Sequence, residues 1–158
     1  GEGGAERRVV MQAPKNGFFY VLDAADGELI SATPFTQQNW TTGEFDENGR
    51  PVLIQDAVDM ALTVVIPGPT GAHNWHPMAF NPDTGLVYIP VNEIPFFYDK
   101  TRNVKDSKSW WNIGYDAAAG WPVEYPAGTL DAVADMDGGS LLAWDPVKAE
   151  PRWAVPFA

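Results

Sequence analysis

The amino-acid sequence predicts an all-β protein. Its 15 glycines and 14 prolines separate short runs of aromatic and β-branched residues, a pattern typical of strands joined by tight turns. Long helical periodicity is hardly visible, and one strand-turn-strand pattern occurs twice along the chain. Together these observations favour short antiparallel strands.

The first 32 residues are expected to form an antiparallel meander of three strands. Between the strands lie the turns Pro14–Gly17 and Ala24–Gly27, which contain the residue types that reverse a chain. The predicted strands are Val9–Ala13, Phe18–Asp23 and Glu28–Ala32.

Two further hairpins are predicted, and the last one repeats the pattern of residues 17–32. Their strands are Pro77–Phe80 with Leu86–Pro90, and Gly139–Asp145 with Arg152–Val155. The repeat has an offset of 122 residues, which would hold roughly three units of about 40 residues, or two to three with long insertions. The matching pairs are Gly17 and Gly139, Asp23 and Asp145, Glu28 and Glu150, and Ala32 and Ala154.

Two stretches interrupt this pattern. Asn39–Asp56 is rich in Thr, Gly, Asp and Glu and is expected to be an exposed excursion, whereas Phe96–Asp135 has no clear period. Long irregular segments in compact domains are often binding elements. Within the second stretch, the mixed charges of Asp99–Lys108 indicate an ordinary solvated face.

Composition excludes several classes of partner and site. A formal charge of −11 argues against binding to nucleic acid or to an anionic membrane surface. The chain has no cysteine, hence no disulfide, thiolate metal site or haem attachment within it. No apolar run is long enough to span a bilayer, and the first residues contain no signal peptide. The chain also lacks an initiator methionine and ends within a strand-like run, so we expect both ends to be cuts in a longer protein.

Three segments, Met11–Asp23, Gly71–Pro90 and Leu141–Pro146, resemble the pyrroloquinoline-quinone (PQQ) dependent alcohol dehydrogenases in order and spacing. The resemblance implies an eight-bladed β-propeller with PQQ and calcium on its axis. Residues 1–158 are then expected to be a partial PQQ-binding propeller domain with long irregular loops. It would comprise about two to three blades, each a four-stranded antiparallel sheet.

Blades of this family carry the motif Ala-x-Asp-x-x-x-Gly-x-x-x-Trp, whose tryptophan packs against the neighbouring blade. The last repeat has the alanine, aspartate and tryptophan, with Ala149 in place of the glycine; the matching residues are Ala143, Asp145 and Trp153. The first repeat keeps the aspartate and glycine as Asp23 and Gly27. Such degeneracy is tolerable because burial is shared across the stack.

Lys15 is the candidate catalytic residue. An ortho-quinone that accepts a hydride gains negative charge on its oxygens, so a fixed cation beside them lowers the barrier. Without the resemblance, an exposed turn lysine would be the ordinary interpretation. With it, Lys15 matches the family's lysine that contacts the quinone oxygens, and its identity favours the branch with broader alcohol range over the methanol dehydrogenases.

The run His73-Asn74-Trp75-His76 supplies the other candidates. Two histidines three residues apart could share a metal ion, but no further ligand pattern accompanies them, so structural or hydrogen-bonding roles are favoured. By resemblance, Asn74 and Trp75 match the pair that contacts PQQ, although a buried indole could equally serve as packing. No metal site is predicted in this chain.

The resemblance implies a parent enzyme that oxidises alcohols to aldehydes or ketones in the periplasm. Electrons would pass to a cytochrome c or a haem domain, and haem c in the parent is possible. The family's catalytic aspartate and calcium ligands match no position in this chain, so the isolated chain is expected to be inactive and to need the remaining blades. Two alternatives stay open: a non-catalytic PQQ-like repeat scaffold that binds proteins, and a carbohydrate- or ligand-binding β domain that uses the seven tryptophans.

Overall fold

The computed structural model describes residues 7–58, 64–97, 136 and 138–157, and this part of the chain is all-β as predicted. Its one helix, α1 (Gln55–Val58), is too short to cross a membrane, and no described helix is long and apolar enough to do so. The strands are β1 (Val9–Gln12), β2 (Phe18–Asp23), β3 (Leu29–Pro34), β4 (Thr41–Phe45), β5 (Pro51–Leu53), β6 (Val64–Val65), β7 (Ala79–Asn81), β8 (Leu86–Glu93), β9 (Phe96–Phe97), β10 (Gly138–Asp145) and β11 (Glu150–Pro156).

Strands β1, β2 and β3 form the predicted antiparallel meander, in that order across the sheet. The central strand carries the apolar face, since Phe19 and Val21 are buried while their neighbours in sequence are more exposed or face the other side. A register shift between Val21 and Leu22 marks a β-bulge just before the β2–β3 turn.

A second sheet has four strands in the order β11-β10-β8-β7. All of its neighbours are antiparallel. Strand β8 alternates strictly, because Val87, Ile89 and Val91 are buried and the residues between them are half-buried. This sheet has the four antiparallel strands expected of a blade, whereas the β1–β3 sheet has three.

The hydrophobic core lies between these two sheets. Phe19 of the first sheet lies against Trp144 of the second, with ring centroids 5.7 Å apart. The buried residues of this cluster are Ala13, Phe19, Val21, Val87, Ile89, Val91, Leu142 and Trp144. Burial of each large apolar side chain contributes about 1.5 to 3 kcal/mol, so the contact between sheets fixes how the turns at their ends are placed.

The excursion predicted for residues 39–56 is more ordered than expected. It contains the β4–β5 hairpin, and Phe45 at the end of β4 packs edge-on against Phe18, with centroids 5.0 Å apart. Trp40 also packs edge-on against Phe18, with centroids 6.0 Å apart, so two aromatic rings anchor the segment. None of residues 39–56 is buried, in agreement with the predicted exposure. The expectations for Phe96–Asp135 concern mostly residues outside the described ranges, including Asp99–Lys108; its first two residues form β9, which pairs with β6.

The two repeats detected in the sequence are two hairpins built alike. Asp23 Oδ1 accepts a hydrogen bond from the N–H of Ala25 (2.8 Å), and Asp145 Oδ1 accepts one from the N–H of Val147 (3.1 Å). A register shift precedes each turn, and the residue four positions after each aspartate has a positive φ. Trp153 of the last repeat is 43% exposed, and its ring lies 5.8 Å from that of Tyr88 in the same sheet.

Candidate functional site

The structure brings together the two segments that carry the candidate residues. The β1–β2 turn holds Lys15, and residues 67–76, which precede β7, hold Asn74 and Trp75. The N–H of Ala72 donates to the carbonyl oxygen of Lys15 at 2.9 Å. Gly71 packs so closely that a Cβ there would lie 2.8 Å from the Lys15 Cα. A side chain at position 71 would therefore separate the two segments.

The β1–β2 turn is fixed by its own polar groups. The N–H of Gly17 donates to the carbonyl oxygen of Pro14 at 3.3 Å, and Gly17 has a positive φ. The Asn16 side chain accepts from the N–H of Phe18 and donates to the Tyr20 hydroxyl at 2.7 Å. Burial raises the pKa of Tyr20, partly offset by the hydrogen bond from Asn16. The turn thus holds Lys15 on a defined backbone.

Lys15 and Asn74 donate to consecutive carbonyl groups. Lys15 Nζ lies 3.2 Å from the carbonyl oxygen of Pro69, and Asn74 Nδ2 lies 3.0 Å from that of Thr70. Both contacts are exposed. Two donors from positions far apart in sequence therefore lie at one short stretch of backbone.

Trp75 is 84% exposed among the described residues, so its ring is not part of the core between the two sheets. Its ring offers a flat apolar face at the surface, next in sequence to the Asn74 amide. An exposed indole at the end of a loop is available to a ligand, whereas the core is filled by Trp144.

The two histidines of the run have different environments. His73 is buried, with Nδ1 2.5 Å from the carbonyl oxygen of Ala13 and Nε2 2.6 Å from that of His76. The His76 side chain is exposed. Because both ring nitrogens of His73 face carbonyl oxygens, the shared-metal interpretation of this pair lacks support. Among the described residues, no group of three or more His, Asp or Glu side chains is placed to hold a metal ion.

Asn92 near the end of β8 supports the loop from behind. Its N–H donates to the carbonyl oxygen of Ala72 at 2.7 Å, and its side-chain Nδ2 donates to the carbonyl oxygen of Gly71 at 3.5 Å. The sequence analysis missed both Asn92 and Gly71. The only local signal was a polar residue after an apolar alternation, which is too common to identify a role.

A cavity of about 730 Å³ lies beside the β1–β2 turn, between the β1–β3 sheet and the turn at residues 46–49. Pro14 and Asn16 line it, but Lys15, Asn74 and Trp75 do not. Its Asp46 carboxylate serves its own turn, where the N–H groups of Arg50 and Asn48 hold the pKa of Asp46 below its usual range. The cavity is therefore distinct from the group of donors.

The chain is similar in sequence to known proteins of one class. No family model matches the chain. The chain is 44% identical over 156 residues to the quinohemoprotein alcohol dehydrogenase ADH IIB of Pseudomonas putida, and the match covers 98% of the chain and 21% of that protein. It is 37% identical to the 1-butanol dehydrogenase (cytochrome c) of Thauera butanivorans, covering 96% of the chain and 22% of that protein. This chain matches one part of the PQQ-dependent alcohol dehydrogenases.

The fold of the chain agrees with that similarity. It superposes on the solved quinohemoprotein alcohol dehydrogenase ADHIIG from Pseudomonas putida with a TM-score of 0.73 and 38% identity, covering 98% of the chain and 23% of that structure. The predicted partial β-propeller is thus confirmed. The chain spans about a fifth of the length of the relatives that it matches.

Proposed function

We propose that the protein containing this chain is a PQQ-dependent alcohol dehydrogenase that oxidises alcohols to aldehydes or ketones. Within it, Lys15, Asn74 and Trp75 would contact the cofactor. The observation that carries the proposal is the convergence of the Lys15 ammonium and the Asn74 amide on consecutive carbonyls, next to the exposed Trp75 ring.

The donor groups of this site fit PQQ. PQQ is a flat anion whose polar edge consists of quinone and carboxylate oxygens, all of which accept hydrogen bonds. An ammonium has three N–H donors and an amide has two. Pro69 takes one from Lys15 and Thr70 takes one from Asn74 among the described residues. The remaining donors match an acceptor-rich ligand, and the Trp75 indole matches its flat face.

Each residue then has a distinct role. When bound, PQQ supplies an ortho-quinone that accepts a hydride from the alcohol. Lys15 places a fixed positive charge against the negative charge that develops during this transfer, and such a preorganised group costs no rearrangement at the moment of reaction. Asn74 orients by hydrogen bonding, and Trp75 covers an apolar face and excludes water.

The remaining chemistry is assigned to parts of the protein other than these residues. We place the catalytic aspartate that takes the alcohol proton, and the calcium ligands, outside this chain. We further propose that the protein works in the periplasm with cytochrome c or a haem domain as electron acceptor, and that residues 1–158 form part of its propeller domain. Support for the electron acceptor comes from a relative that is named for cytochrome c.

The decisive experiment compares three lysine variants of the complete protein that contains this chain. Lys15→Ala should lower turnover by about 100- to 1000-fold, the usual effect of losing one preorganised donor. Lys15→Arg should retain more activity because the charge survives. Lys148→Ala is the matched control, since Lys148 is an exposed lysine in another hairpin turn, between β10 and β11.

Bound PQQ must be quantified in each preparation, so that loss of cofactor is not mistaken for slow chemistry. If Lys15→Ala retains PQQ and turns over alcohol within about threefold of the unsubstituted protein, less than about 1 kcal/mol, then Lys15 is only a turn residue. If the unsubstituted protein binds no PQQ, the non-catalytic scaffold becomes the better interpretation. The isolated chain, supplied with PQQ and calcium, should show no alcohol oxidation above a no-protein blank.

A further inference from the structure

The buried histidine of the candidate site contacts the backbone on both sides of it. Nδ1 of His73 faces the carbonyl oxygen of Ala13 at 2.5 Å, two residues before Lys15. Nε2 faces the carbonyl oxygen of His76 at 2.6 Å, directly after Trp75. One imidazole therefore contacts the Lys15 turn and also closes the short loop that presents Asn74 and Trp75.

The geometry requires a particular kind of side chain. Carbonyl oxygens only accept hydrogen bonds, so each contact is a hydrogen bond when the ring nitrogen that faces the carbonyl carries a hydrogen. An imidazole presents its two nitrogens on opposite sides of a rigid ring. A phenyl ring is also flat and rigid but has no donors, and a glutamine amide carries both of its N–H groups on one nitrogen.

The other hydrogen bonds between the two segments differ in position from the contacts of His73. The Ala72 N–H joins the Lys15 carbonyl at 2.9 Å, and Lys15 Nζ reaches the Pro69 carbonyl at 3.2 Å. Both lie on the Lys15 side of the loop. Within the described residues, only His73 joins the Ala13 end of the turn and also the closing carbonyl after Trp75.

We propose that His73 is a positioning residue that sets the Lys15 turn and the Asn74-Trp75 loop at a fixed separation. It acts on PQQ through those residues and does not touch the cofactor. This inference rests on the proposed function, because it explains how two contact segments from distant parts of the sequence keep one geometry. Residues that orient contacting groups typically change affinity or activity by 10- to 100-fold when replaced.

The test uses His73→Phe and His73→Gln in the complete protein that contains this chain. His76→Phe is the matched control, because it removes an exposed imidazole from the same run and keeps the backbone carbonyl that His73 contacts. The first readout is amide hydrogen exchange at Ala72 without cofactor, which reports the bond between the two segments. The second is the dissociation constant for PQQ, and the third is turnover with saturating PQQ.

We expect His73→Phe to speed exchange at Ala72 and to weaken PQQ binding about tenfold, with a smaller effect for His73→Gln and none for His76→Phe. Turnover should fall by a similar factor. Combining His73→Phe with Lys15→Ala should lower turnover little further than Lys15→Ala alone, since a positioning residue loses its effect when the positioned group is absent.

Additive losses in the double variant would overturn the proposal, as would a lower unfolding temperature with PQQ affinity and Ala72 exchange unchanged. If His73→Phe does not fold, His73→Gln answers the same question by the same readouts. Failure of this inference is distinct from failure of the proposed function. In the first case the protein binds PQQ and needs Lys15 but tolerates loss of His73, and in the second it neither binds PQQ nor depends on Lys15.

Discussion

Left-handed backbone occurs in the β2–β3 and β10–β11 turns, called here the outer turns, and also in the loop beside Lys15. The surroundings of the two kinds of turn are very different. Gly27 has φ +82°, and a Cβ built there would meet nothing within 4 Å. Gly71 has a similar φ of +81°, yet a Cβ there would lie 2.4 Å from the Lys15 Cγ. The equivalent of Gly27 in the last repeat is Ala149, with φ 56°.

The difference separates two reasons for placing glycine at a turn. In the outer turns, only the backbone conformation favours glycine, so the alanine at position 149 is tolerated at a modest cost. Beside Lys15, both conformation and lack of space favour it. Glycine in the site therefore serves the contact between two segments, whereas in the outer turns it serves the hairpin alone.

The largest effect is expected for Gly71→Ala. A non-glycine residue in the left-handed region costs about 1 to 2 kcal/mol, and forcing a methyl group into a filled space adds about 1 to 3 kcal/mol. We expect a fall of about 2 to 5 kcal/mol in the free energy of unfolding, measured by urea denaturation, and faster amide exchange at Ala72. A loss no greater than that of Gly27→Ala would show that the close approach to Lys15 has no energetic weight.

Gly27→Ala isolates the conformational part of that cost. With no neighbour near the added methyl group, the expected loss is about 1 kcal/mol, measured in the same denaturation experiment. Amide exchange at Ala72 should not change. Any effect there would contradict the separation between outer turns and site.

Ala149→Gly should have the opposite sign. Glycine removes the cost of the left-handed alanine, about 1 to 2 kcal/mol, but adds about 0.5 to 1 kcal/mol of chain entropy in the unfolded state. The net expectation is a stabilisation of up to about 1 kcal/mol, seen as a higher urea midpoint. A clear destabilisation would indicate that the Ala149 methyl group, which packs on the core cluster, outweighs the backbone term.

The smallest effect concerns pH and the Asp145 carboxylate. The N–H of Lys148, followed by that of Val147, holds the pKa of Asp145 below its usual range. Since the folded-state pKa is lowered, its contribution to stability is present above the unfolded value of about 3.9 and is lost as pH falls through the lower folded value. Asp145→Asn should keep the turn, as Asn81 does in the β7–β8 hairpin, and should lessen the loss of stability on acidification below about pH 4.

The measurement is the urea midpoint at several pH values between 2 and 7, with Asp83→Asn as the control that removes an exposed charge from the neighbouring hairpin turn. If Asp145→Asn and Asp83→Asn reduce the fall of the urea midpoint at low pH equally, the effect is due to net charge. If only Asp145→Asn reduces that fall, the effect is due to the hydrogen bonds that the Asp145 carboxylate accepts in its turn.

Local patterns in the sequence were sufficient for most strands. Phe18–Asp23 has the predicted bounds, and the 122-residue repeat corresponds to hairpins β2–β3 and β10–β11. The prediction for β8 stopped at Pro90, but the strand continues to Glu93. Strand β7 pairs with Leu86–Tyr88, so within the described residues Pro90 has a strand neighbour on one side, β10. Proline lacks an N–H and is tolerated at such an edge position.

The site was predictable only in part, and the reason is the range of the contacts. Lys15, Asn74 and Trp75 could be named from residue type and resemblance, because those features can be read from neighbouring residues. Gly71, His73 and Asn92 act through backbone groups that are near in space and distant in sequence, and no local pattern reports such contacts.

The sequence by itself determined the strand periodicity, the turn chemistry and the family that the chain resembles, since each depends on short runs of residues. Only the tertiary structure decided that Lys15 and Asn74 donate to consecutive carbonyls and that His73 joins their segments. Those contacts exist because packing of the two sheets around Phe19 and Trp144 brings the ends of their strands together. Strand pattern and turn type are local properties, whereas the meeting of two turns depends on how the whole core is filled.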